Sequence, residues 1–576
     1  MKTTKKLLSM LLALIMVVSI AVPVFADETN YVITITNSDS ISSAGHVYKA
    51  YQIFKGTLKE SGSVLADIKW GESITNGDDF ITALKSDTSP DTAAFIIDGK
   101  NIFKDVTSAE KLAEVLSKSE HDTAAIKNAF AKIAKDYVDT DNEVAHSTQS
   151  TAPYTILIPK TKAGYYLVLD TLVDETLPNQ DISDFILQVV GDKTVEHKGS
   201  IPTVDKSVSE TGEGEHTNIA TGIGDVHYYK IKAELPDDLY LYDSYYLEFQ
   251  DKMSSGLTYL PMETSDSGIV MKVLIRTGNK TIIVDPDCYD VTPKAETAGA
   301  NMSVVIPDIK SAEFKSTDGT PIIVSAVDAI EIVYTATVNK DAQVTGDGIP
   351  NEAKLVFSND PNSNGKGTSN TDVTYVYPVN LVIEKYDAKN TANLLDGAQF
   401  IIGRDFSDGS TTHKEYAKID KTTGKLDSWV HHHVGDNCAE GDADHTAAVT
   451  AGEIGTILIT EGGRISVSGL DAAKFYLKEV AAPSGYNKLT EPVIVTVDVE
   501  YNDTTHKISL IKGTTSQGEI AFSADTALVT VKIPNHEGQI LPSTGGIGTT
   551  LFYVVGGAMV AFAVLSLITK KRMNKE

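Results

Sequence analysis

Cysteine is almost missing from this chain: Cys288 and Cys438 are the only two in 576 residues. They stand far apart, so a disulfide framework is excluded and a long chain must be braced by some other device. Positive charge is also short, with 50 Lys+Arg against 78 Asp+Glu and a net charge of −28. The balance becomes more one-sided once the basic ends are set apart, which excludes nucleic acid as a partner. The signatures of turnover are missing too, because no Gly-rich phosphate loop, nucleophile elbow or zinc-protease helix occurs. No cofactor is expected, and no metal. His431, His432, His433, Cys438 and His445 cluster in an insertion, but their spacing matches no structural zinc pattern and reads as a polar, solvated loop.

What is present starts at the two ends. Lys2, Lys5 and Lys6 precede the apolar run Leu11–Val18, and Val24-Phe-Ala26 offers a small-residue cleavage site. That order is a secretory signal peptide over residues 1–26. At the other end Leu551–Thr569 is apolar and almost free of charge, with Lys570, Lys571 and Arg572 directly behind it. The stretch is long enough to span most of a bilayer as a helix, and its basic flank holds that end in the cytoplasm. Everything between is expected outside the cell.

Between the ends the chain is expected to be mainly β: tandem Ig-like and collagen-adhesin-type β-sandwich domains arranged as a rod, with a small helical insertion in the first. Residues 27–199 mix strands (Tyr31–Thr36, Tyr154–Ile158, Tyr165–Leu169) with two helices, one starting at the capping-box spacing Thr107-Ser-Ala-Glu110 and one carrying Ile126, Phe130 and Ile133. Residues 200–379 have little helical period and repeated β-rich runs: His227–Ala233, Tyr245–Phe249, Ile330–Val338 and Ala353–Phe357. Residues 380–540 repeat that style in Leu381–Lys385, Ala398–Ile402, Lys474–Glu479, Val493–Val499 and Ala527–Ile533. Residues 541–576 hold the C-terminal signal.

That signal opens with Leu541-Pro542-Ser-Thr544-Gly545. Pentapeptide, apolar span and basic tail in this order resemble the sorting signal of sortase substrates. The resemblance implies that a cysteine transpeptidase cuts between Thr544 and Gly545 and passes Thr544 to an amine. Pro542 keeps the segment extended, since it fixes φ and lacks a backbone donor.

The junction Val189-Val-Gly-Asp-Lys193-Thr-Val-Glu-His197-Lys198-Gly resembles the end of the first domain of Gram-positive backbone pilins. The resemblance implies that a lysine here receives the threonine of the next subunit. Lys198 is the candidate and Lys193 its neighbour; His197 stands where the family often has proline.

Residues 380–540 resemble the collagen-adhesin B-type domain. The likeness rests on Val382-Ile-Glu-Lys385-Tyr-Asp with Leu395-Asp-Gly-Ala-Gln-Phe400, on Tyr476-Leu-Lys-Glu479 through Tyr486, and on Val529-Thr-Val-Lys-Ile-Pro-Asn535. It implies that Lys385 condenses with Asn535 while Glu479 moves the protons. Residues 200–379 resemble the isopeptide-forming sandwich of the same pilins. There Lys206 would be the nucleophile, Asp251 the proton shuttle and Asn351 the partner, although Asn359 shares the strand parity of Asn351.

The chemistry has a physical basis. Burial strips a lysine of the hydration that favours its charged form, making a neutral amine accessible, while the same burial favours a protonated carboxyl that can polarise an amide. The product, a neutral Lys–Asn amide, removes the buried charge. The expected protein is therefore not an enzyme but a secreted, wall-anchored pilus subunit, with sortase, identical subunits and peptidoglycan as partners. Minor pilins and a host surface ligand complete the set such a subunit would meet. A monomeric wall-anchored adhesin shares every motif except a working Lys198.

Overall fold

In the computed structural model the described residues are 29–37, 41–59, 64–197, 199–261, 271–407, 412–431, 455–538 and 547–573. Among the described residues the chain is mainly β, 47% strand and 14% helix. Two compact units separate by packing: one takes in residues up to 220 with 224–343 and 348–377, the other 221–223, 344–347 and 378 onward.

In the first unit, strands His46–Leu58 and Gly164–Leu172 pair antiparallel at the centre of a five-stranded sheet. Their alternation serves two cores at once. Tyr48, Ala50, Tyr166 and Val168 face Ile33, Ile35, Tyr154 and Ile156 of a three-stranded sheet. Tyr51, Ile53, Leu167 and Leu169 face helices instead, against Phe80, Leu84, Leu112 and Phe130. Two of those helices, Ala109–Leu116 and Ala124–Lys135, match the sequence expectation. The first is capped one residue later than its capping-box spacing implied, by the Ser108 hydroxyl accepting from Lys111 N–H. A third helix, Gly77–Leu84, is an addition, started by Asn76 accepting from the amides of Asp78 and Asp79.

The same unit contains two seven-stranded sheets. One holds Thr203–Ser209, Val226–Glu234 and Ala329–Val338 in neighbouring antiparallel register; the other holds Asp372–Tyr377, Ile349–Ser358 and Leu247–Met253 likewise. Ile349–Ser358 alternates buried and half-buried along its whole length, the two-residue period of a strand with one face in the core.

The second unit also pairs two sheets. Val379–Asp387 lies between Asn390–Leu394 and Leu528–Asn535, and it runs parallel to the latter. The opposing sheet is centred on Gln399–Ser407, Lys474–Ala481 and Val493–Tyr501. Helix Ile547–Met573 follows, and its segment Leu551–Lys571, with a mean hydropathy of 2.4, is long and apolar enough to cross a membrane.

Candidate functional site

Two buried constellations of lysine, carboxylate and asparagine form in separate parts of the molecule. In the second unit the residues Leu381, Ile383 and Lys385 alternate inward along one strand, as do Val529, Val531, Ile533 and Asn535 along its parallel neighbour. Lys385 pairs with Ile533 and Asp387 with Asn535. The side chains of Lys385 and Asn535 therefore share one face, two residues out of step. Glu479 reaches them from the opposing sheet.

Lys385 and Asn535 are fully buried and Glu479 is 3% exposed, so none of the three is a solvated strand residue. The Lys385 ammonium lies 3.8 Å from Glu479 Oε1, and Asn535 Nδ2 donates to that same oxygen at 3.0 Å. Glu479 Oε2 accepts from Leu489 N–H at 2.7 Å, which fixes the carboxylate. Lys385 Nζ also donates to the carbonyls of Ile533 and Pro534 at 3.1 and 3.0 Å, holding the amine beside the last residues of the partner strand. Burial pushes the Lys385 amine down to about 8, against the opposing pull of Glu479. Asn535 Oδ1 is buried without a hydrogen-bond partner.

The first unit assembles its set across two sheets. Lys206 and Tyr334 come from one sheet, Asp251 and Asn351 from the facing one. All four are at most 2% exposed. Lys206 Nζ donates to Asp251 Oδ2 and, at 2.8 Å, to the Tyr334 hydroxyl. The Tyr334 hydroxyl donates to Asp251 Oδ2 at 2.6 Å and accepts from Asn351 Nδ2 at 2.8 Å. Desolvation drives the Lys206 amine below its ordinary value, with Asp251 opposing. Asn351 Oδ1 is again buried and unpartnered.

The two asparagines that strand parity left open are separated here. Asn359 is buried too, but its Nδ2 donates to the backbone carbonyl of Gln180, in a different contact from the Lys206 group. Tyr334 was missed by sequence reasoning. It sits within the predicted strand Ile330–Val338, where an inward aromatic looks like ordinary core.

Of the remaining sequence candidates, Leu541, Pro542, Thr544, Gly545 and Lys198 lie outside the described residues, as do residues 1–26, His432, His433, Cys438 and His445. His431 ends strand Leu426–His431. Lys193 is half-buried and begins an edge strand, Lys193–Glu196, parallel to Asn30–Thr36. The residues flanking position 198 are firmly held. His197 is 1% exposed, its Nδ1 lies 2.9 Å from the Tyr48 hydroxyl, and its N–H donates to Thr36 O. Gly199 passes so close to Asp181 that a Cβ would sit 1.8 Å from Asp181 Oδ2.

His46, Asp170 and His197 are a buried group whose ligand atoms lie within 4.8 Å of one another, the spacing of a metal site. Both Nδ1 atoms are already engaged, that of His46 by Asp170 at 2.9 Å and that of His197 by Tyr48. The Nε2 atoms of both histidines are buried without a hydrogen-bond partner.

Comparison with known proteins places these features. A family described as the SpaA prealbumin-like fold domain matches residues 379–513. The "Trypsin-resistant surface T6 protein" of Streptococcus pyogenes serotype M6 is 23% identical over 441 residues, covering 65% of this chain and 70% of that protein. The chain resembles Gram-positive backbone pilins. Among solved pilin structures, the T6 backbone pilin of serotype M6 S. pyogenes is 16% identical with a TM-score of 0.44, covering 89% of this chain and 100% of that one. The full-length major pilin SpaD from Corynebacterium diphtheriae is 15% identical with a TM-score of 0.40, covering 89% and 98%. The Lys385–Glu479–Asn535 group has its lysine and glutamate inside the matched prealbumin-like segment, with Asn535 beyond its end.

Proposed function

We propose that this chain is the structural subunit of a covalent cell-surface pilus, joined by sortase through Thr544 to Lys198 of the next subunit and braced internally by Lys206–Asn351 and Lys385–Asn535 amide bonds. The observation that carries this reading is the pair of fully buried lysines, each held beside a carboxylate and an asparagine. Unreacted, such lysines are a standing cost to the fold. Condensed with asparagine they become neutral amides. Each reaction needs only folding: the neutral amine attacks the carboxamide carbon, the carboxyl group carries the proton from amine to leaving nitrogen, and ammonia departs. Asp251 and Glu479 are the proposed shuttles, and no external substrate is turned over.

The reading divides the chain into a cleaved signal at 1–26, a polymerising domain at 27–199, cross-linked sandwiches at 200–379 and 380–540, and a sorting segment at 541–576. Secretion and wall anchoring then follow from the two ends, and the wall attachment runs through peptidoglycan. The kinship with backbone pilins supports polymerisation over display as a single copy.

The test is an anti-subunit immunoblot of wall extracts boiled in SDS, from cells carrying the wild-type chain or Lys198→Ala. The expected result is a high-mass ladder that disappears in the variant. A ladder unchanged by Lys198→Ala moves the nucleophile elsewhere, with Lys193→Ala as the next comparison. A single wall-linked species in both strains contradicts the polymer and favours a monomeric adhesin.

A further inference from the structure

The two buried groups differ in one respect that chemistry must accommodate. Glu479 touches Asn535 directly, Oε1 to Nδ2 at 3.0 Å. Asp251 is shorter by one methylene, and between it and Asn351 stands the Tyr334 hydroxyl, 2.6 Å from Asp251 Oδ2 and 2.8 Å from Asn351 Nδ2. That hydroxyl also takes a hydrogen bond from Lys206 Nζ at 2.8 Å. Among the described residues it is the atom that lies within hydrogen-bond distance of the nucleophile, the acid and the leaving nitrogen together.

We propose that Tyr334 is a catalytic residue of the Lys206–Asn351 condensation, relaying the proton that Asp251 is too short to deliver by itself. The inference rests on the reading of Lys206 and Asn351 as a cross-linking pair. As the neutral Lys206 amine adds to the Asn351 carboxamide carbon, its nitrogen gives a proton to the Tyr334 oxygen while the Tyr334 proton passes to Asp251 Oδ2. The leaving nitrogen, now tetrahedral and basic, takes a proton back from Tyr334, which is refilled from Asp251. The C–N bond to that nitrogen breaks and ammonia leaves, so Tyr334 and Asp251 end as they began. Tyr334 never has to exist as a free phenolate. That matters because burial and the neighbouring Asp251 push its hydroxyl far above its ordinary value.

The tyrosine is well placed for a fixed relay. Its ring stacks on Tyr229 at 5.4 Å with an interplanar angle of 8° and lies 6.1 Å from Tyr259, contacts that Tyr334→Phe retains.

The experiment samples the full chain at set times after its cell-free synthesis, stops each sample in denaturant, and follows ammonia release and the Lys206–Asn351 cross-linked peptide. Tyr334→Phe is expected to fold and to slow this bond by roughly 100-fold or more, the range of a lost proton-transfer group, while leaving the Lys385–Asn535 bond at its wild-type rate. The Tyr334→Phe/Asp251→Glu double variant, with the longer carboxylate, is expected to recover part of that loss. Equal rates in wild type and Tyr334→Phe overturn the relay while leaving the cross-link reading intact. Absence of the Lys206–Asn351 bond from the wild-type chain overturns that reading and the relay with it.

Discussion

Lys385 and Asn535 stand on neighbouring parallel strands, two residues out of register, with both side chains fully buried and Glu479 Oε1 within 3.8 Å of the amine and 3.0 Å of the amide. Strand pairing sets the spacing between the two residues, the alternation of each strand sets the shared face, and the opposing sheet supplies the acid. The arrangement is a consequence of β geometry before it is a piece of chemistry.

Glu479→Gln should preserve the hydrogen bond toward Asn535 yet lose the group that carries protons. Bond formation at Lys385 is expected to slow by about 10²- to 10⁴-fold, leaving a folded chain that keeps the ammonia. Peptide mapping of the freshly folded variant checks this, and an intact Lys385–Asn535 link at the wild-type rate would remove Glu479 from the mechanism.

Asn351→Ala should abolish the first cross-link and loosen the unit that contains it. Opening a loop of roughly 150 residues costs about 5 kcal/mol of unfolded-state restriction. Calorimetry should therefore find that unit melting roughly 10 °C lower or more. Asn359→Ala, which touches Gln180 rather than Lys206, is expected to leave the cross-link in place.

The pH behaviour of the second site has a defined sign. In Asn535→Ala the bond cannot form, and Lys385 is expected to keep the folded value of the unreacted chain, about 8 against an ordinary 10.5. Between those values the unfolded chain binds the extra proton, so stability rises with pH from about 8 to about 10.5; below that window the full penalty of the buried charge is present. Denaturant midpoints across this range should climb for Asn535→Ala and not for Asn535→Ala/Lys385→Met. In the wild-type sequence, the rate of bond formation should rise with pH through about 8 as the neutral amine accumulates.

Much of this was legible in the sequence for a physical reason. Alternation announced the strand that carries Lys385 and most of the one that ends at Asn535, and a lysine among Val382, Ile383 and Tyr386 already pointed to an unusual environment. Parity could not separate Asn351 from Asn359, because residues eight apart on an extended chain face the same way. Only the tertiary fold, which brings Tyr334 of the facing sheet to one and the Gln180 carbonyl of a connecting segment to the other, divides them. The knot of His46, Asp170 and His197 was hidden for a similar reason, since its members come from separate strands and a loop. Helix Gly77–Leu84 escaped because it is two turns long and begins on Gly77, Asp78 and Asp79, which weaken its apolar period.

Thr544→Ala should leave both internal bonds untouched while removing the subunit from wall-linked material, because folding chemistry and sorting chemistry use separate residues. Fractionation of cells into wall and medium, with peptide mapping of each, checks the separation. Loss of either internal bond in Thr544→Ala would contradict it.

The central claim is that both buried lysines are consumed as amides, and intact-mass spectrometry of the purified full chain, followed by peptide mapping, tests it most directly. The account predicts a mass short by two molecules of ammonia, with one linked peptide pair joining Lys206 to Asn351 and another joining Lys385 to Asn535. A chain at its full calculated mass, with all four residues recovered in unlinked peptides, would contradict it.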